Sequence, residues 1–220
     1  MSASVGAKDI ITDGLVLHLD AANYKSYING STTWSDLSGN SNNGTLVNTP
    51  TYSSANGGIF SFNGSNQYAT CTGTPLNVTA YTKSVWFRLS STSTNNNLVS
   101  CYPGHFMYFS ATTTLYCGHS DWGNYQAFPS TTTFSTNIWY NASLTFNTTD
   151  GMKLYINGYL DATYTAVKTQ AAGGGIEIAS FGAGNLLTGN ISQVFVYSRA
   201  ITASEILQNY NALKPRFGIT

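Results

Sequence analysis

Apolar and polar residues alternate over short runs along the chain, and turn residues separate the runs. LVLHLD (15–20), KSVWFRLS (83–90) and NISQVFVYS (190–198) show the period of two that places side chains on opposite faces of a strand. Asn-Gly and Gly-Gly dipeptides punctuate the series. The pattern therefore predicts an all-β chain of many short antiparallel strands in a sandwich or a barrel.

Two elements carry signals of their own. In KLYINGYLDA, Asn157-Gly158 between two alternating strands predicts a type I′ hairpin. Near the end of the chain, Thr202 with Glu205 three residues later predicts the capping box of one short helix, which Pro215 ends. The apolar residues that share one face of this helix are Ile206, Leu207, Tyr210 and Leu213. We expect that face to lie across the sandwich.

The strand pattern contains no linker or internal repeat. It predicts an N-terminal extension over residues 1–12, one domain over 13–213 and a C-terminal tail over 214–220. The first residues lack the charged start and apolar run of a signal peptide, and no apolar stretch is long enough to insert into a membrane.

Charged residues are scarce and balanced. They make up 8% of the chain, and nine basic residues offset nine acidic ones. This composition gives no electrostatic footprint for a nucleic acid or an anionic membrane. The surface must instead be built from Ser, Thr, Asn and Gly, which suits contact with neutral sugars or with further copies of the chain.

Five motifs occur in a characteristic order: WSDLSGNSNNGTL, FSFNGSNQYA, YTKSVWFRL, MKLYINGYL and GNISQVFVYSRAITASEI. In that order they resemble the concanavalin A-like, laminin-G-like (LamG) domains, over about residues 14–213. The resemblance implies an antiparallel β-sandwich of the jelly-roll type with one short C-terminal helix. Asn63 stands where the family has an Asp, and Ser192 and Gln193 stand where it often has Asp-Glu, so carboxylates of a family calcium site are missing.

The two ends of the chain narrow the resemblance. DGLVLHLDA (13–21) and RFGI (216–219) are similar to the ends of LamG-like domains in bacteriophage virion proteins. This implies a capsid decoration or tail-fibre protein on the virion surface, made in the host cytoplasm, present in many copies or as a homo-oligomer. It would contact other virion proteins through its termini and adhere weakly to cell-surface glycans. The alternative is a dedicated lectin or receptor-binding module, and a more distant one is a glycoside hydrolase.

Catalysis is not expected. Glycosidases cleave with a pair of carboxylates, whereas this chain has two glutamates far apart in sequence. Glu205 belongs to the capping box, and Glu177 stands alone in GIEIAS, where we interpret it as a hydrogen-bonded strand residue. We predict a protein that is not an enzyme.

A glycan-binding site is predicted in GHSDWGNY (118–125). Aromatic rings stack on the C–H faces of sugars, and Asn, Asp and His side chains bind the hydroxyls. The residues that offer these groups are His119, Asp121, Trp122, Asn124 and Tyr125. In the alternative interpretation, Trp122 only packs the loop onto the edge of the sandwich.

The same region holds Cys101, His105, Cys117 and His119, which are residue types that ligate zinc. Their spacing matches no familiar zinc motif. The alternatives are a Cys101–Cys117 disulfide and, as we favour, buried thiols with ordinary strand histidines.

The loop after Trp34 places side-chain oxygens at every second residue from Asp36. One interpretation is a calcium ion held by Asp36 and Asn40, with Asp20 from the first strand. The other, which we favour, is a hydrogen-bonded turn in which Gly39 and Gly44 adopt left-handed angles. No cofactor is therefore required, and structural calcium is the open alternative.

Overall fold

A computed structural model describes residues 9–220 except 72, 74–75, 77–78, 103, 122–123 and 166–174, and omits the side chains of residues 121, 124 and 125. The described chain consists of strands and one α-helix, α1 (Ala203–Leu213), with 3-10 turns at Ala55–Gly57 and Lys214–Phe217. The strands are β1 (Leu15–Asp20), β2 (Thr33–Trp34), β3 (Gly44–Val47), β4 (Thr51–Ser53), β5 (Ile59–Asn63), β6 (Tyr68–Cys71), β7 (Ala80–Leu89), β8 (Asn95–Asn97), β9 (Val99–Ser100), β10 (His105–Ser110), β11 (Thr114–Asp121), β12 (Asn124–Thr133), β13 (Tyr140–Asn147), β14 (Gly151–Ile156), β15 (Tyr159–Tyr164), β16 (Ile176–Ile178) and β17 (Thr188–Tyr197).

These strands form a two-layered antiparallel sandwich. The large sheet has the order β15-β14-β13-β7-β17-β5-β4, and β1 pairs with part of β17. Two smaller sheets, β12-β11-β10-β8 and β2-β3-β6-β16-β9, form the other layer. Buried apolar residues from all three sheets join in one core cluster. The all-β sandwich with a single C-terminal helix is confirmed.

Strand β7 shows how the two faces of the large sheet are used. Its residues Val85 and Phe87 alternate with Trp86, and all three are fully buried. Val85 and Phe87 belong to the core between the layers, whereas Trp86 lies on the opposite face, under the helix. The Trp86 ring stacks on Phe217 at 4.1 Å and on Tyr210 at 5.6 Å. The sandwich therefore has a second apolar cluster, closed by α1.

The predicted start of α1 is confirmed. Thr202 Oγ1 accepts a hydrogen bond from Glu205 N, and Glu205 Oε2 accepts one from Thr202 N at 2.7 Å. Arg199 donates two hydrogen bonds to the same carboxylate, at 2.6 and 2.9 Å. These hydrogen bonds lower the pKa of Glu205 to about 2. Glu205 is thus committed to holding the helix N-terminus.

The predicted hairpin is also confirmed. Asn157 and Gly158 join β14 to β15 with φ of 51° and 85°, and both angles are left-handed, as a type I′ turn requires. A Cβ on Gly158 would lie 3.0 Å from side-chain atoms of Leu207 and Tyr210. The turn therefore packs closely against the buried face of α1.

The described residues on both sides of the predicted 13–213 domain pack onto it. Ile11 N donates to Asn209 Oδ1 at 2.8 Å, and Ile11 O accepts from Tyr197 Oη at 3.0 Å. At the other end, Arg216 forms an ion pair with Asp20 at 2.7 Å. The two end motifs noted in the sequence are thus in direct contact. No helix among the described residues has the length and apolar content needed to cross a bilayer.

Candidate functional site: a cavity on the outer face of the small sheet

The four-stranded sheet β12-β11-β10-β8 exposes one face away from the core. Met107 and Phe109 of β10 are fully buried in the core between the layers. Because side chains alternate along a strand, Phe106 and Tyr108 lie on the opposite, outer face. The alternation in HFMYFS therefore places two aromatic rings on the face away from the core, where Tyr108 is half-buried and Phe106 is buried.

Gly118 makes room for one of these rings. It lies opposite Phe106 on β10 and opposite Ala127 on β12. A Cβ on Gly118 would sit 1.8 Å from Gln126 O and 2.9 Å from Phe106 Cε2. Only glycine fits here, so the Phe106 ring lies close to the backbone of β11.

The loop over residues 179–187 borders this face. Phe181 and Gly184 exchange two backbone hydrogen bonds, at 2.9 and 3.1 Å. Glu177 Oε2 accepts from Ser180 Oγ at 2.6 Å and from Ala183 N at 3.1 Å. The single glutamate that resembled a candidate acid is therefore the residue that fixes this loop, as the hydrogen-bonded interpretation predicts.

Asparagines join the loop to the sheet. Asn97 donates from both its backbone N and its Nδ2 to Asn185 O, at 3.2 and 2.9 Å, and accepts from Ser100 Oγ at 3.0 Å. Asn185 has a left-handed φ of 46°, and non-glycine residues hold such angles at a cost of about 1–3 kcal/mol. The paired hydrogen bonds from Asn97 keep Asn185 in that conformation, with its side chain exposed.

These elements enclose a cavity of about 240 Å³. Its lining residues are Asn97, Phe106, Tyr108, Ala127, Phe181 and Asn185. The lining combines aromatic rings and amides and includes no charged side chain among the described residues. The volume lies below the roughly 300–1,000 Å³ of pockets for drug-sized ligands, so the cavity suits a single small ring.

A band of aromatic rings passes through the cavity and beyond it. Tyr102 and Phe181 have ring centroids 5.2 Å apart, and Phe181 and Phe106 are 6.3 Å apart. The band continues from Phe106 to Tyr108 at 5.5 Å and from Tyr108 to Tyr116 at 5.7 Å. The contacts at Phe106 and Phe181 are edge-to-face, and Phe106 is buried, so the rings of this aromatic platform that reach the surface are Tyr102, Phe181, Tyr108 and Tyr116. The platform is therefore longer than the cavity itself.

The predicted glycan-binding residues lie on the neighbouring hairpin. Asp121 and Asn124 oppose each other at its end, and Tyr125 opposes Ser120. Trp122 lies outside the described residues, as do the side chains of Asp121, Asn124 and Tyr125. The same hairpin carries Ala127, which lines the cavity, and Gly118, which lies against Phe106.

His119 requires a correction. It is fully buried, and its ring meets the edge of Phe146 at 4.6 Å in the core between the layers. Residues at odd positions of β11, such as Cys117 and His119, face inward, so His119 does not face a ligand from solvent.

None of the described residues that line the cavity was predicted as a binding residue by sequence analysis. The alternation of HFMYFS was a usable signal for Phe106 and Tyr108, because their neighbours are typical core residues. Phe181 and Asn185 lie in FGAGN, where no local pattern indicates a site.

A lysine lies among the Cys and His residues that were considered as zinc ligands. Fully buried Lys83 lies with Nζ 2.9 Å from His105 Nδ1 and donates to Val99 O at 3.0 Å. Burial lowers the pKa of Lys83 to about 7 and lowers the pKa of His105 well below its usual value. Burial also raises the pKa of the Cys117 thiol to about 12. Zinc binds thiolate, whereas burial keeps the Cys117 thiol protonated and Lys83 Nζ lies against His105 Nδ1.

The disulfide alternative is wrong. The three cysteines are buried thiols. In the strand register, Cys117 pairs with Met107, whereas Cys101 forms a bridge with His105.

The Asp36 loop has the contacts of a hydrogen-bonded turn. The Asp36 carboxylate accepts from His18 N, Ser38 N, Ser38 Oγ and Asn42 N at 2.7–3.0 Å. Asn40 Nδ2 donates to Leu15 O and to Ser38 Oγ. These protein donors engage both Asp36 oxygens, which is the arrangement that the favoured turn interpretation predicts.

Asp20, the third predicted calcium ligand, is engaged elsewhere. It pairs with Arg216 and accepts a hydrogen bond from Gln193 Nε2 at 2.7 Å. Gln193 stands where the family often has an acid, and its amide replaces a carboxylate that would repel Asp20. Gly39 has the expected left-handed φ of 90°, but Gly44 does not, because it begins β3 and Ser41 takes the second left-handed position instead.

Comparison with protein families gives one match. The model described as Concanavalin A-like lectin/glucanases superfamily (Laminin_G_3) matches residues 63–207, a segment that contains every residue lining the cavity. No curated protein sequence matches the chain.

Solved structures share the fold. The receptor-binding domain of botulinum neurotoxin type G has a TM-score of 0.71 at 15% identity, covering 90% of this chain and 51% of that one. The binding domain of Paraclostridial Mosquitocidal Protein 1 has a TM-score of 0.72 at 20% identity, covering 91% and 52%. Trypanosoma rangeli sialidase, solved with the inhibitor DANA, has a TM-score of 0.69 at 16% identity, covering 96% and 34%. The chain thus spans about half of the toxin domains and a third of the sialidase.

Proposed function

The chain belongs to the concanavalin A-like lectin/glucanases superfamily, and from that premise we propose that it is a non-enzymatic carbohydrate-binding module. The observation that carries the proposal is the cavity between Phe106, Phe181 and Asn185. Aromatic faces stack on the apolar C–H surfaces of sugars, and amide groups bind hydroxyls. The cavity presents both kinds of group on an outer face of the sandwich.

The positions of the carboxylates support a function without catalysis. Glycoside hydrolysis needs two carboxyl groups about 5–10 Å apart across the scissile bond. Glu177 holds the 179–187 loop and Glu205 holds the helix N-terminus, so both glutamates have structural partners. Asp161, on β15, accepts hydrogen bonds from Thr131 and Thr132. No carboxylate of the described residues lines the cavity.

The proposed ligand is a glycan on a cell surface, bound weakly at each site. The cavity is small, and a single sugar ring makes few contacts. Many copies of such a module bind a surface much more tightly than one copy does, because later contacts become intramolecular. Two of the similar structures are, by their names, binding domains of toxins. That similarity is consistent with a binding function.

We further propose that the module is displayed on a bacteriophage virion, as capsid decoration or as part of a tail fibre. The motifs that resemble virion proteins, DGLVLHLDA and RFGI, meet through the Asp20–Arg216 ion pair and form one structural unit. Mass spectrometry of purified particles should find many copies of the chain. Its absence from intact particles would contradict this proposal.

The binding proposal is tested by removing the ring of Phe181. Phe181 is partly exposed and lies outside the core, so Phe181→Ala should fold normally. We expect binding on a glycan microarray, and in titrations with the selected oligosaccharide, to weaken about tenfold or more.

Binding in EDTA should equal binding in calcium, because Asp20 and Asp36 are engaged by protein donors.

The matched control is Tyr159→Ala, which removes an aromatic side chain that is 65% exposed on the β14–β15 hairpin, away from the cavity. This variant should bind like the original chain. Equal binding by the Phe181 variant and the control would contradict the proposed site.

A further inference from the structure

We propose that the cavity selects an uncharged sugar unit and rejects glycans that place a sialic acid or a sulfate there. This inference rests on the proposed carbohydrate-binding function and adds the class of ligand. It depends on the charges around the cavity, on its size and on the aromatic band that extends from it.

The described lining of the cavity offers no cationic partner for an anion. None of its described lining residues is Lys or Arg. A carboxylate or sulfate moved from water into such a site loses hydration without gaining a counter-charge, and this is strongly unfavourable. The Asn97 side chain is already used, since its Nδ2 donates to Asn185 O and its Oδ1 accepts from Ser100. The exposed Asn185 side chain, whose Oδ1 accepts from Asn95 Nδ2, offers an uncharged amide that suits a hydroxyl.

The charged group behind the cavity wall has the wrong sign for an anion. Glu177 accepts hydrogen bonds from Ser180, which precedes Phe181, and from Ala183, which lies in the turn that Phe181 and Gly184 close. Its negative charge repels an anionic ligand.

The described arginines are bound elsewhere. Arg88 donates to Asn190, Arg199 to Glu205 and Arg216 to Asp20. Lys83 is fully buried in the core between the layers. These side chains are therefore committed to other partners.

The size of the site indicates one sugar unit of a longer chain. The cavity holds a single small ring, but the aromatic band runs past it to Tyr102 on one side and Tyr116 on the other. Tyr102 is 57% exposed, so its ring is available to a ligand. An oligosaccharide with one neutral unit in the cavity and its neighbours stacked on this band would use the whole platform.

The experiment uses the full chain on a microarray that prints matched pairs. Each pair consists of a neutral oligosaccharide and the same oligosaccharide with one added sialic acid or sulfate. We expect the chain to bind the neutral members. Where the added group is on the sugar unit held in the cavity, which is the unit whose binding Phe181→Ala weakens, binding should be at least about tenfold weaker.

A charge placed at the cavity tests the same inference by gain of function. Ala127 lines the cavity and is exposed on β12, so Ala127→Lys adds a cation at the rim, and Ala127→Gln is the uncharged control of similar size. Relative to the Gln variant, the Lys variant should bind the sialylated members about threefold more tightly at low salt, and the gain should disappear at high salt.

The outcomes separate the two proposals. Equal binding of the sialylated and neutral members by the original chain would overturn the selectivity and leave the carbohydrate-binding proposal intact. Equal binding of the sialylated members by the Lys and Gln variants would also overturn the inference. No binding to any oligosaccharide, neutral or charged, would overturn the proposed function and this inference with it.

Discussion

At the scale of single residues, two histidines are held where a proton is unfavourable. His18 stacks on Phe195 at 4.4 Å, and burial lowers the pKa of its ring to about 4, although the carboxylates of Asp20 and Asp36 oppose the shift. Burial also lowers the pKa of His105, which faces Lys83. An unfolded histidine has a pKa near 6.5, so below that pH the unfolded chain binds protons that the folded chain does not.

We therefore predict that stability falls as the pH drops from 6.5 towards 4. His18→Phe keeps an aromatic ring against Phe195 and removes one of the two titrating groups. Its loss of unfolding free energy over this pH range, measured by urea denaturation, should be smaller than that of the original chain by about 2 kcal/mol, a value reduced for the partial exposure of the ring. Identical acid sensitivity in both chains would contradict the assignment to His18.

At the scale of elements, local signals were sufficient where a few neighbouring residues decide the structure. Alternation located strands such as β1, β7 and β17, Asn157-Gly158 located the hairpin, and Thr202 located the helix start. The C-terminal segment was predicted as a tail because its partners are distant in sequence. Phe217 stacks on Trp86, which lies more than a hundred residues earlier, and no local pattern encodes such a contact.

The C-terminal segment is predicted to contribute strongly to stability. Phe217 is buried beneath α1, so Phe217→Ala should lower the free energy of unfolding by about 3 kcal/mol, and Phe217→Leu, which retains apolar volume, by less. Thermal and urea denaturation measure both variants. An Ala variant as stable as the original chain would show that the segment does not pack on the sandwich in solution.

At the scale of the whole molecule, the fold was predictable but the cavity was only partly so. The order of five motifs was sufficient for the sandwich, which the family match confirms. The cavity joins Asn97, Phe106, Ala127 and Phe181, which come from separate parts of the chain and meet only through the strand register and the 179–187 loop. The glycan-binding prediction was placed on residues 118–125, because that stretch is richest in sugar-binding side chains. In the structure this stretch forms the hairpin beside the cavity, and its His119 faces inward.

The central claim is that this cavity is the glycan-binding site. Its most direct test is chemical-shift mapping of the isotope-labelled chain during titration with the oligosaccharide that the microarray selects. We predict that the changing resonances cluster at the side-chain amides of Asn97 and Asn185 and at the backbone of Ala127 and Phe181. Changes confined to the Asp36 loop or to the groove between Lys153 and Thr202 beside α1, with the cavity resonances unmoved, would contradict the claim.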